Sequence, residues 1–281
     1  MTDIAQPKVK APVVKAPIGA CDTHMHFYSP DFQHVPNANL PSYSAWVDDY
    51  KVVRETLGLQ RVVVVQPSAY GLDSSCQLAA MAAFGSDARG VMVVDRDTPD
   101  EELERLTGLG VRGARFHMLP GGLVPWEQLE EVAARIDNFG WHIQLQLNGR
   151  ELPDHAALLK RLPCPLVVDH IGRFTPPVAA DHKAFRVLLG LIEDGKCWVK
   201  LSAPYESSQS GAPRFVDVKP EVEALVAAAP ERMLWASNWP HPGQKSPISH
   251  AATLDLLTGW VPDEKTRRLI LVDNPAEVYG F

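Results

Sequence analysis

Short runs rich in valine and isoleucine alternate with amphipathic stretches along most of this chain. The runs fall at 18–24, 61–66, 90–95, 111–117, 141–147, 165–170, 197–202 and 232–237. Most are continuously apolar, Arg61-Val-Val-Val-Val-Gln66 above all, as strands of a parallel sheet buried on both faces must be. Between them, apolar positions at helical spacing mark helices near 44–57, 74–84, 100–108, 126–138, 151–161, 182–193, 219–229 and 248–258. Strand then helix, repeated around the chain, predicts an α/β fold, a single (β/α)8 TIM barrel. A doubly wound sheet is the alternative, but no G-x-G-x-x-G follows the first strand. Residues 1–16, with Pro7 and Pro12 inside and Pro17 closing the segment, read as an irregular arm, which leaves 17–281 for the barrel.

Composition narrows the class. A chain of 281 residues, 46% hydrophobic, can bury one large core. Its net charge of −7, with no basic run, argues against nucleic acid as a partner. Cys21, Cys76, Cys164 and Cys197 are far apart with no CxxC, so they read as buried thiols of a reducing compartment. No window approaches a membrane span, and the N-terminus, with Lys8, Lys10 and Lys15 among prolines, lacks a signal core. The expectation is a soluble, cytoplasmic protein whose partner is a small molecule. Oligomeric state is left open, a homo-oligomer included.

In a barrel of this kind, functional side chains belong at the C-terminal ends of the strands. Polar residues collect there: Asp22-Thr23-His24-Met25-His26, Gln66-Pro67-Ser68, Arg115-Phe116-His117, Gln144 with Gln146 and Asn148, Asp169-His170-Ile171-Gly172-Arg173, Lys200-Leu201-Ser202 and Ser237-Asn238-Trp239-Pro240-His241-Pro242. A period of two points His24 and His26 the same way. Two converging imidazoles hold a divalent metal or polarise an oxygen, and a satisfied core pair is the alternative. Arg115 and Arg173 suit a carboxylate, or else barrel-rim ion pairs. Lys200 reads as a buried ion pair rather than a Schiff-base lysine, and Trp239 as packing. His34, His155, His182 and His250 fall in loop or helix patterns and read as solvated.

Together, D-T-H-x-H on the first strand, D-H-x-G-R on the sixth and S-N-W-P-H-P on the eighth resemble the amidohydrolase superfamily, in particular its lactone-processing branch. The terminal Asp273-Asn274-Pro275-Ala276-Glu277-Val278-Tyr279-Gly280 fits the same branch. Two departures matter. Metal-dependent members bring a histidine from strand 5 and an aspartate from strand 8. Here strand 5 offers Gln144 and Gln146, with His142 placed too early, and strand 8 offers Asn238. His24, His26 and His170 still make a zinc site conceivable, but a carboxamide is a poor metal ligand and no base, so no cofactor is required.

The resemblance therefore implies a lactone isomerase. His24, His26 and His170 polarise the carbonyl and Asn238 orients a substrate hydroxyl, which attacks in place of water. A further arginine that the pyrone-dicarboxylate relatives carry after the strand-4 arginine is missing. That favours a sugar-diacid lactone, D-galactaro-1,5-lactone going to the 1,4-lactone in aldarate catabolism. Ser68, Gln146, Asn148 and Asn238 would bind its hydroxyls, Arg115 and Arg173 its carboxylate, and His241 would face the mouth. A lactone hydrolase in which Asn238 replaces a catalytic aspartate, or a sugar-acid-binding barrel without turnover, are the alternatives.

Overall fold

The computed structural model describes residues 10–38, 40–41, 45–244 and 248–281. Eight parallel strands lie in sequence order: β1 Cys21–Met25, β2 Arg61–Val65, β3 Ala88–Met92, β4 Val111–His117, β5 His142–Gln146, β6 Leu166–Val168, β7 Cys197–Leu201 and β8 Met233–Trp235. Past the last strand, the ring closes where His26 N donates to Trp239 O at 2.8 Å and Asn238 N to His24 O at 2.9 Å. Around it stand α1 Val47–Leu57, α2 Ser75–Ala82, α3 Asp100–Gly108, α4 Leu129–Asp137, α5 Leu152–Lys160, α6 Lys183–Glu193, α7 Lys219–Ala228 and α8 His250–Trp260. All eight expected strands and eight expected helices are present, with their ends shifted by a few residues. The sequence pattern did not delineate α9 Glu264–Arg268, a π turn Leu269–Asp273 and α10 Asn274–Tyr279, which seal the N-terminal end of the barrel. No described helix is long and apolar enough to cross a membrane.

The valine run of β2 shows why the strands are apolar throughout. Val62 and Val64 pack outward in the layer between strands and helices, while Val63 and Val65 join Cys21, Val91, Val167, Trp198, Leu234 and Tyr279 inside the barrel. Burying one such side chain stabilises the fold by about 1.5–3 kcal/mol. The inward positions change character along their strands. His142, Gln144 and Gln146 alternate inward on β5, and Trp198 is followed inward by Lys200 on β7. The lower barrel is thus packed, apart from His142, with apolar groups, and the upper barrel with polar ones.

Candidate active site

β1 supplies the first two histidines by a local irregularity. Its register against β2 shifts between Asp22 and Met25. Cys21 points into the barrel and Met25 into the outer layer, so the shift re-aims the end of the strand and turns both His24 and His26 inward. Their Nε2 atoms then lie 3.1 Å apart. Val65 O can only accept, so the 2.7 Å contact places a proton on His26 Nδ1. Burial, and after it Arg115, holds the His26 imidazole well below its ordinary pKa, so the ring is neutral and its Nε2 carries a lone pair. His24 Nδ1 lies 3.2 Å from Asp169 Oδ1, which also can only accept, so the one proton of a neutral His24 serves either that contact or the one to His26 Nε2. Burial also keeps His24 neutral, against the pull of Asp169.

Beneath this pair sits a buried charge cluster. Lys200 Nζ lies 3.2 Å from Asp169 Oδ1, 2.6 Å from Gln144 Oε1 and 3.3 Å from His24 Nδ1, and Gln144 Nε2 donates to Asp169 Oδ2 at 3.1 Å. Lys200 and Asp169 are fully enclosed. Burial alone would raise the Asp169 carboxyl, but Lys200 and then His24 pull it well below the usual range, so it is ionised. Lys200 is thus the resident cation of the site, in the ion pair expected of it.

Above the cluster opens a cavity of about 600 Å³, lined among others by His26, Ser68, Arg115, His117, Gln146, His170, Arg173, Tyr205, Glu206 and Asn238. Arg115 donates from Nη1 to Gln66 O at 2.6 Å and from Nη2 to Gln146 Oε1 at 3.0 Å. Its buried Nε has no partner among the described residues. Gln146 Oε1 also faces His117 Nδ1 at 2.9 Å, and burial brings the His117 pKa down to about 4. Glu206 Oε2 accepts from Arg173 Nε at 2.8 Å and Gln146 Nε2 at 3.3 Å. His170 Nδ1 pairs with Ser202 Oγ at 2.9 Å, and its Nε2 stands 3.9 Å from Glu206 Oε1, beyond hydrogen-bond length. Over the cavity the loop after β4 folds back so closely that a Cβ on Gly122 would lie 1.8 Å from His117 O.

Backbone conformation is also unusual here. His170, Ile171 and Arg173 after β6, Ala203 after β7, and Asn238 and His241 after β8 all adopt left-handed φ angles between 47° and 63°. Non-glycine residues held this way cost about 1–3 kcal/mol each, a strain typical of functional loops. In this conformation Asn238 lines the cavity, its Nδ2 donating to Tyr205 Oη at 2.8 Å and its buried Oδ1 without a described partner.

The expected site residues divide into two groups. His26, His170, Asn238, Ser68, Arg115, Gln146 and Arg173 meet at the cavity. His24 stands behind His26. Asn148 is outside the lining because its Oδ1 caps the following turn, accepting from Arg150 N at 3.2 Å. His241 is also behind the wall, both ring nitrogens engaged, with Tyr205 Oη at 2.9 Å and His250 Nδ1 at 2.9 Å. His250 is buried against His241 rather than solvated, because the start of α8 turns inward. His155 stacks on Trp126 at 3.7 Å, and His182 caps α6. Gln144, Asp169 and Lys200 were seen at strand ends but given no place in the site. Tyr205 and Glu206 carry no motif or periodicity.

His24, Asp169 and His170 bring ligand atoms within 4.8 Å of one another, and His26 Nε2 lies 3.1 Å from His24 Nε2. The donor set does not fit a dication. The Lys200 ammonium already occupies Asp169, and Asn238 supplies a neutral amide where a carboxylate would sit.

Comparison with known proteins agrees with this architecture. The amidohydrolase family model matches residues 21–281. The D-galactarolactone isomerase of Agrobacterium fabrum is 34% identical over 96% of this chain and 94% of its own length. A 2-pyrone-4,6-dicarboxylate hydrolase from Comamonas testosteroni is 32% identical over 95% and 92%. An apo crystal structure from Agrobacterium tumefaciens superposes with a TM-score of 0.91 at 35% identity, covering 96% of this chain and 99% of that one. With its parallel barrel, its histidine pair and this family match over nearly its whole length, the chain belongs to the amidohydrolases.

Proposed function

We propose that this protein isomerises a sugar-diacid lactone by intramolecular acyl transfer, converting D-galactaro-1,5-lactone to the 1,4-lactone without a metal. The observation that carries the reading is Asn238, which lines the cavity and supplies a neutral amide where a water-activating carboxylate would otherwise stand. An amide orients a hydroxyl but does not remove a proton from water. The substrate's own hydroxyl on carbon 4 attacks the carbonyl carbon as the ring oxygen on carbon 5 leaves. The proton lost by the first oxygen ends on the second, so none is released. Proximity supplies much of the acceleration, since well-placed intramolecular nucleophiles gain effective molarities of about 10⁵–10⁸ M.

Developing negative charge on the carbonyl oxygen falls to the Arg115 guanidinium, which lines the cavity, and to His170 Nε2, with Ser202 donating to its Nδ1. His24 and His26 support this shell, with their Nε2 atoms facing each other at 3.1 Å. Arg173, held at Nε by Glu206, presents the rest of its guanidinium to the distal carboxylate. The name of the Agrobacterium fabrum relative supports this substrate. One observation favours the second reading, a lactone hydrolase: Glu206 is a carboxylate in the lining. Its Oε2 is already engaged, accepting from Arg173 Nε and Gln146 Nε2. Proton NMR of D-galactaro-1,5-lactone decides between them. The 1,4-lactone is expected to appear before any open-chain diacid, and diacid formed first would sink the isomerase reading.

A further inference from the structure

Glu206 brings a negative charge into a cavity whose substrate is itself an anion, and acyl transfer gives that charge no task. It follows Ala203, whose left-handed φ of 47° turns the chain after β7 into the short helical turn Pro204–Glu206, with Glu206 N donating to Ala203 O at 3.0 Å. That turn carries the side chain into the cavity lining, where 17% of it stays open, as does 24% of its partner Arg173.

Among the described residues of the lining, Glu206 is the one carboxylate, set against the guanidinium groups of Arg115 and Arg173. Burial holds the His26, His117 and His170 imidazoles below their ordinary pKa, so they add no charge at pH 7. Beneath them Lys200 and Asp169 cancel as an enclosed ion pair. Two guanidinium charges less one carboxylate leave the described lining with one net positive charge. Hydrogen bonds tie Glu206 to both cations: Oε2 accepts from Arg173 Nε at 2.8 Å and from Gln146 Nε2 at 3.3 Å, and Gln146 Oε1 accepts from Arg115 Nη2 at 3.0 Å.

A sugar-diacid lactone brings one carboxylate, for Arg173, and a neutral acyl group for Arg115 and His170. The open-chain diacid brings a carboxylate to each end. Its second charge has no cation left to itself, and it meets Glu206, whose Oε1 stands 3.9 Å from His170 Nε2. We propose that Glu206 sets the charge class of the ligand, admitting a sugar acid with one free carboxylate and selecting against the dianion. The inference deepens the lactone reading and rests on it for the sugar-acid substrate. It makes Glu206 a specificity residue, one that keeps the open-chain diacid from occupying the site.

Binding to the ligand-free full chain tests this without turnover, by titration calorimetry at pH 7 with D-galactonate and with galactarate. The probes differ in one group, a terminal hydroxymethyl in the first and a second carboxylate in the other. Changes common to both cancel in the ratio of their Kd values, which isolates the effect on the second charge. In Glu206→Gln the ratio is expected to shift about tenfold in favour of galactarate, which corresponds to about 1.4 kcal/mol. Glu206→Asp keeps the charge and is expected to stay within about twofold of the native ratio. A ratio unchanged in Glu206→Gln, or shifted as far in Glu206→Asp, would overturn the proposal and leave the lactone reading standing. Failure of both sugar acids to bind the native protein and both variants would instead remove the sugar-acid reading, and the proposal with it.

Discussion

Replacing Lys200 by Met tests the charge cluster on which the histidine pair rests. Buried without a counter-charge, the lysine would be deprotonated; Asp169 opposes this, and the outcome is a pKa brought down from 10.5 to about 8. At about 1.4 kcal/mol per pH unit, holding Lys200 charged at pH 7 costs the fold about 3 kcal/mol relative to the unfolded chain. Its attraction to Asp169, 3.2 Å away, is worth about 5 kcal/mol at an effective dielectric of 20. The first figure already includes this attraction. Lys200→Met destabilises because it leaves the Asp169 carboxylate buried without its cation, a loss of about 3–5 kcal/mol, at about 2–4 °C in melting temperature per kcal/mol. The sign with pH follows from the depressed value. Between about pH 8 and 10.5 the unfolded chain holds a proton on Lys200 that the folded one has released, so native stability rises with pH there. From pH 7 to 9.5 this adds about 2 kcal/mol to the native protein and nothing to the variant. Urea melts of both proteins at the two pH values measure it. The gap between them is expected to widen by about 2 kcal/mol at the higher pH; a constant or shrinking gap would refute the reasoning.

Asn238→Asp is expected to bring in hydrolysis, raising open-chain diacid formation by about 10²–10⁴-fold, the usual contribution of a positioned general base. NMR of the product mixture reads it, and a variant that still forms only the 1,4-lactone would show that Asn238 does not exclude water chemistry. Exhaustive chelation is expected to leave the rate of lactone interconversion unchanged, as followed by polarimetry. A loss of rate restored by zinc would overturn the reading of Lys200 as the cation of the site.

Much of the fold was legible in the sequence because parallel strands buried on both faces leave a strong signature. The run from Val62 to Val65 has no polar position between Arg61 and Gln66, and the polar residues that follow each strand mark the open end of the barrel. His24 and His26 were paired correctly from period two, although the register shift that turns them inward left no trace in the residues. The C-terminal helices were harder, since α9 and α10 have only five and six residues. In the site, Asp169 and Lys200 lay in plain view at strand ends, but a polar residue inside a barrel shows its partner only when opposite strands are brought together. Tyr205 and Glu206 come from an irregular loop, where sequence spacing says nothing about direction. His241 and His250 were placed at the mouth and in solvent; each faces the other instead, because α8 begins directly behind the β8 loop.

The central claim is that the attacking oxygen belongs to the substrate and not to water, and oxygen isotopes test it most directly. D-galactaro-1,5-lactone is turned over in water enriched in oxygen-18, and the 1,4-lactone is examined by mass spectrometry before it hydrolyses. Acyl transfer within the substrate predicts a 1,4-lactone with no solvent oxygen. Label in that product at the rate of its formation would mean that water opens the ring first, and the account of Asn238 would be wrong.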